Sequence, residues 1–156
     1  TIQNYQRAEE LFNRTNQFNT TNIRYTINDL KKIAKKSSNK IIEIAVTDKF
    51  GDYGIISYVI LDIKKDKFIL TDFILSCRVF KRFVEETIIY FLRSLFKNKS
   101  GYIVLKKNKK NKYVQEFLKS CKFLKKHNEN NYKIKEDIKF KIIDNEFIKV
   151  KNQTIN

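Results

Sequence analysis

The sequence predicts an α/β (α+β) fold: one domain over residues 1–156, with a mixed central sheet flanked by helices. Three observations predict it. The elements run in the order α-α-β-β-β-α-β-α-β-β, the helical stretches are too long for a pure β fold, and an antiparallel meander leads into a strand–helix–strand unit. With 156 residues, 42% of them hydrophobic, the chain can build one core.

The first helix is predicted over Gln3 to Arg14, where Tyr5, Ala8, Leu11 and Phe12 share a face. A polar loop, Thr15 to Tyr25, follows. Thr26 is the expected N-cap of the second helix, with Asp29 three residues on as a capping box and Tyr25 placed to staple onto Leu30. That helix runs through Ile33 and Ala34 and stops at Ser37-Ser38-Asn39. Ile41 to Thr47, Ile55 to Ile63 and Phe68 to Leu75 read as three strands. Asp48 to Gly54 forms the first turn, with two glycines able to take positive φ; Lys64 to Lys67 forms the second. A long helix over Phe83 to Lys97 aligns Val84, Ile88, Phe91, Leu92 and Leu95. Gly101 ends the next connection, and Tyr102 to Leu105 is a short buried strand. Lys106 to Lys112 (KKNKKNK) reads as a solvated loop, and Tyr113 to Ser120 as a helix with Val114, Phe117, Leu118 and Cys121 on one stripe. Phe123, Tyr132 to Lys135 and Phe147 to Val150 are the last strand candidates.

Lys and Arg number 33 against 17 Asp and Glu, a formal charge of +16. Such a field draws nucleic acid, anionic membrane or an acidic protein without choosing among them. A lysine coat spread over the surface would give the same total. No run approaches 18 apolar residues, which excludes a membrane-spanning helix, and the start lacks the layout of a signal peptide. The chain begins at Thr1 and contains no Met, the expected look of a domain cut from a longer protein. Cys77 and Cys121 are neither a disulfide framework nor a zinc pattern, and they point to a reducing, cytoplasmic setting. The lone His127 rules against a Ser-His-Asp triad or a His-rich metal site. No RNA- or DNA-binding signature accompanies the charge.

Three stretches carry a resemblance. Arg7 to Thr26 (RAEELFNRTNQFNTTNIRYT), Thr47 to Ser57 (TDKFGDYGIIS) and Phe73 to Glu85 (FILSCRVFKRFVE) together resemble the C-terminal domain of FkbH-like proteins, over about Tyr5 to Phe123. The element order also matches that of the acyl-CoA N-acetyltransferase (GNAT) fold, lacking only its first strand. The resemblance implies a GNAT-like domain that follows a haloacid-dehalogenase-type (subfamily IIIC) phosphatase domain. It implies loading of a glyceryl-type unit from a phosphorylated donor onto an acyl carrier protein, for polyketide or surface-polysaccharide synthesis. The phosphatase chemistry would lie in the preceding domain, since no Mg²⁺-binding D-x-D strand motif occurs here.

The resemblance also implies a site. The loop from the third meander strand into the long helix would bind the phosphate end of phosphopantetheine or CoA through backbone N–H groups. Here that loop is Ser76 to Phe83. Cys77, Arg78, Val79, Lys81 and Arg82 are therefore cofactor-binding candidates, with Asn111 from the following loop. Arg78, Lys81 and Arg82 sit at a helix start, where the helix dipole disfavours cations and a bound anion would favour them. Lys81 and Phe83 occupy the two glycine positions of the family's C-R-V-x-G-x-G-V-E pattern. Cys77 is a candidate nucleophile for a transient acyl thioester, although a buried structural cysteine is the commoner state of that residue type. Asp52 or Asp48 in the hairpin turn is a candidate base or acceptor, against an ordinary turn role. Asn16, Gln17, Asn19 and Thr20, in a polar loop of unusual length, are substrate-side candidates, against a self-capped loop. In the N-x6-Y-x3-G-F pattern of acetyltransferases, Asn111 and Phe123 fit, but Leu118 replaces the tyrosine acid and Lys122 the glycine. That loss favours a binding or positioning domain over a free-standing acyl-CoA transferase.

Overall fold

The computed structural model describes residues 2–48 and 51–138. The strand expected at Phe147 to Val150 and turn residues 49 and 50 lie outside that range. Six strands form one mixed sheet in the order β1-β2-β3-β4-β6-β5. They are β1 (Asn39–Asp48), β2 (Gly51–Ile63), β3 (Lys67–Leu75), β4 (Ser100–Val104), β5 (Leu124–Lys126) and β6 (Asn131–Ile134). Only β3 and β4 are parallel; every other pairing is antiparallel.

The helices α1 (Tyr5–Arg14) and α2 (Ile27–Ala34) cover one face, α3 (Val84–Leu95) and α4 (Lys112–Ser120) the other. Alternation along the strands feeds both faces. Tyr58, Ile60 and Ile74 pack with Leu11, Phe12 and Leu30, while Val59, Leu61 and Phe73 pack with Ile88, Leu92 and Leu118. Both early helices start on side-chain caps. Asn4 accepts from the Arg7 N–H at 2.8 Å, and Thr26 and Asp29 form the expected capping box. The buried Arg93 closes α3 from the other end by donating to the Lys97 and Lys99 carbonyls, which suits a cation at a helix C-terminus.

The first hairpin is tighter than the expected Asp48-to-Gly54 turn. Asp48 already pairs with Gly51 and Thr47 with Asp52, and the register shifts before Ala45 meets Ile55. Gly54, at φ +62°, absorbs that shift. Gly101 does not end a connection; it lies buried inside β4. A Cβ there would stand 2.5 Å from the Phe68 ring, so the residue is small because an aromatic ring crosses it.

A bulge in β3 shapes the centre of the molecule. Ile60 pairs with Asp72 but Leu61 with Leu70, leaving Thr71 as the extra residue. A bulge bends its strand, and the β3–β4 ladder ends at Leu70 and Ile103. The segment expected as a polar loop, Thr15 to Tyr25, enters beyond that point. The Thr20 N–H donates to the Phe73 carbonyl at 3.1 Å, the Leu75 N–H to the Phe18 carbonyl at 3.0 Å, and the Lys106 N–H to the Thr20 carbonyl at 2.8 Å. Thr20 Oγ1 also accepts from the Phe73 N–H at 3.0 Å. Phe18, Asn19 and Thr20 are fully buried. The polar segment thus satisfies sheet edges that would otherwise be buried without partners.

Candidate functional site

β3 ends at Leu75, where the Ser76 N–H donates to the Ile56 carbonyl at 2.8 Å. A single 3₁₀ turn, Cys77–Val79, follows and buries Val79. Phe80 then stacks on Tyr113, with ring centroids 4.1 Å apart and planes 7° off parallel. Lys81 and Phe83 both adopt left-handed backbone, φ +60° and +61°, before α3 begins at Val84. Such a conformation costs a residue with a Cβ roughly 1–2 kcal/mol.

The start of α3 is partly filled from inside. Glu85, 2% exposed, accepts from the Tyr113 hydroxyl at 3.0 Å. Burial pushes its carboxyl above the usual range, with the nearby backbone N–H groups of Glu85 and Lys81 and the Tyr113 hydroxyl pulling the other way. Glu85 therefore turns inward and does not offset the neighbouring cations at the surface. Arg78 and Arg82 reach back to the first hairpin instead. Arg78 donates to the Tyr53 carbonyl at 3.4 Å. Arg82 donates to the Tyr53 hydroxyl at 2.6 Å, with its guanidinium 5.2 Å from that ring's centroid.

Beside this loop lies an open cleft of about 570 Å³. Arg7, Glu10 and Arg14 line one wall from α1, Asn16 and Gln17 form a corner, and Ser76, Cys77, Arg78 and Phe80 line the other wall. Two stretches singled out in the sequence, Asn16-Gln17 and Cys77-Arg78, thus meet in one place 60 positions apart. Glu10 accepts from Arg7 and from Arg14, each at 2.8 Å. The Arg7 hydrogen bond and charge, then Arg14 and Arg78, hold its carboxyl below the usual range. An ionised, doubly paired carboxylate is a poor proton donor, and Glu10 stands as one on this wall, with its charge set against those of Arg7 and Arg14.

Cys77 is exposed and lines the cleft, correcting the expectation of a buried structural cysteine: the 3₁₀ turn sends Val79 inward and leaves Cys77 outside. Cys121 is the buried thiol, pushed by burial to about 11. Asp52 is exposed and accepts from the Gly54 N–H at 2.7 Å, an ordinary turn arrangement outside the cleft. Asn19 and Thr20 lie in the sheet gap, away from it. Asn111 is buried, and its amide is taken up by Asn19, Lys106, Asn108 and Gln115.

Arg7, Glu10 and Arg14 escaped notice in the sequence, although their spacing of three and four sets them on one face of α1. Asp72 did too, although an acid inside an apolar strand is a signal. It is buried against a second concavity of about 310 Å³ shared with Tyr25, Thr71 and Lys106. Thr21 donates to it, as does the Tyr25 hydroxyl at 2.8 Å. Among the described residues no group of three metal-binding side chains occurs, and no helix is long and apolar enough to cross a membrane. No family model, curated protein or solved structure matches the chain.

Proposed function

We propose that this chain is the GNAT-like domain of an FkbH-like protein. It holds a phosphopantetheine arm, on an acyl carrier protein or as CoA, while a glyceryl-type unit is loaded from a phosphorylated donor. The phosphate of the arm lies against the Arg78-to-Phe83 loop and the start of α3, and the acyl end reaches the Arg7–Gln17–Cys77 cleft.

One observation carries the reading. Lys81 and Phe83 hold φ +60° and +61° at the two positions where the resembled pattern has glycines. A backbone shape that glycine adopts freely is kept here at a cost, directly before a helix N-terminus, and strain of this kind concentrates at ligand sites. The first-turn N–H groups of α3 and the Arg78 and Arg82 guanidiniums border the same loop, and charge-assisted bonds to phosphate are the strong kind. Leu118, at the position of the tyrosine acid, is buried, which supports positioning over amine acetylation. Cys77 can relay the acyl unit: its thiolate bonds to the acyl carbon of the phosphorylated donor and phosphate leaves, and the arm's thiolate then bonds to that carbon while the Cys77 sulfur leaves as a thiolate and picks up a proton.

Calorimetric titration with CoA and with holo acyl carrier protein tests this. Both should bind, and Arg78→Ala should weaken both about tenfold, the worth of one charge-assisted hydrogen bond. Cys77→Ala should leave binding unchanged and abolish any acylated form of the domain seen by mass spectrometry. Binding of neither ligand would overturn the reading, as would an Arg78→Ala variant that binds like the parent.

A further inference from the structure

Residues 106–135 hold eleven lysines against two glutamates and no arginine. Their densest part, Lys106 to Lys112, is not the loose solvated loop its composition predicts. Asn111 anchors it from beneath. Its Oδ1 accepts from the Asn108 N–H at 3.0 Å and from Gln115 at 2.7 Å, and its Nδ2 donates to the Asn19 and Lys106 carbonyls, each at 3.0 Å. Asn108 in turn accepts from the Lys110 N–H at 2.8 Å and the Asn111 N–H at 3.2 Å. Every polar atom of the Asn111 amide is used, so the turn has one backbone shape, with Lys106, Lys107, Lys109, Lys110 and Lys112 exposed upon it.

The turn is also tied to the cleft. The Lys106 N–H bonds to Thr20 and the Val114 N–H to the Gln17 carbonyl, at 2.8 and 3.1 Å, and Gln17 lines the cleft. The link to the cleft thus runs from the turn through the first turn of α4 to Gln17.

We infer that the Asn-locked lysine turn at residues 106–112 is the docking surface for the acidic body of the carrier protein whose arm enters the cleft. This rests on the reading above. The charge type selects a protein. Lysine is a point charge that steers an acidic surface, and the segment has no arginine, the residue whose planar fork is over-represented in bidentate phosphate recognition. Single-stranded nucleic acid would need exposed aromatic rings to stack on. Phe83 and Leu95 are the large hydrophobic residues exposed among the described ones, and neither lies on this segment. A turn held rigid before binding loses little order on association.

The test uses the triple variant Lys107→Glu/Lys109→Glu/Lys110→Glu, with Lys35→Glu/Lys36→Glu/Lys40→Glu, from the end of α2 to the start of β1, as a charge-matched control. Affinity is measured for apo carrier protein, holo carrier protein, CoA and a short DNA duplex. Both carrier forms should weaken about tenfold or more in the turn variant through lost steering, and less than about twofold in the control. CoA binding should not change. If CoA fails to bind and the two carrier forms bind alike, the arm site fails; loss of that carrier binding in the turn variant then still supports docking. If CoA and holo carrier bind and neither notices the turn variant, docking is overturned and the arm site stands. No carrier binding at all overturns docking, and so do equal losses in both variants. Duplex DNA bound more tightly than the carrier, and lost in the turn variant, assigns the surface to nucleic acid and overturns it as well.

Discussion

Phe83 combines a left-handed backbone, φ +61°, with a side chain 55% exposed. Its ring gains little from burial, while its Cβ suffers the crowding of that conformation. Left-handed backbone costs roughly 1–2 kcal/mol, and glycine's extra freedom in the unfolded chain takes back about 0.5–1 kcal/mol. Phe83→Gly should therefore leave stability unchanged or raise it by up to about 1.5 kcal/mol, a Tm gain of at most about 3–6 °C for a chain this long. A Tm several degrees lower would show that the ring makes contacts worth more than the strain. At this scale sequence and structure part company for a definite reason. The residue types at 77–83 were legible, but their exposure depends on which way one 3₁₀ turn faces. Gly101 was misread because the ring that demands it, Phe68, is distant in sequence.

Asn111 acts on elements rather than on a ligand. It joins the start of α4 to the Lys106 turn and to the segment filling the gap beside β3. Asn111→Ala would take one of two side-chain donors from the buried Asn19 carbonyl, which keeps Asn22 Nδ2 at 3.2 Å, and would leave the part-buried Lys106 carbonyl and Asn108 N–H without their partner, at about 1–3 kcal/mol for each group left unpaired. The expected loss is about 2–4 kcal/mol by urea unfolding, with the Lys110 and Asn111 amides exchanging faster than those of β2. A loss under about 0.5 kcal/mol, the size expected of an ordinary surface change, would mean the turn holds without its anchor. The helices and the meander were legible because hydrophobic period and caps marked them, as at Thr26 and Asp29. The Phe18-to-Thr21 segment was not. Its asparagines and threonines read as a polar, substrate-side loop, but they serve as hydrogen-bonding partners for a sheet opened by the bulge at Thr71.

Across the whole molecule the charge was legible as a total, and the element order as a layered α/β arrangement. The clustering of charge on a locked turn was not, because Asn111 meets Asn19 only after folding. Two buried acids lie on opposite faces of the sheet, Asp72 by α1 and α2, Glu85 under Tyr113. Burial raises both carboxyls above their ordinary values. For Asp72 the Thr21 and Tyr25 hydroxyls, the Lys106 charge and Thr71 pull the other way without cancelling it. An acid whose folded pKa lies above its unfolded one holds its proton longer in the folded state. The unfolded chain then carries fewer protons in the window between the two values, and stability falls as pH rises through it. Asp72→Asn removes this contribution while its amide still serves both hydroxyls. The variant should therefore gain on the parent as pH rises from about 4 towards neutrality, where the difference levels off. Urea unfolding of both proteins across that range measures it, and a difference that does not change with pH would show that the Asp72 carboxyl ionises as freely in the folded molecule as in the unfolded chain.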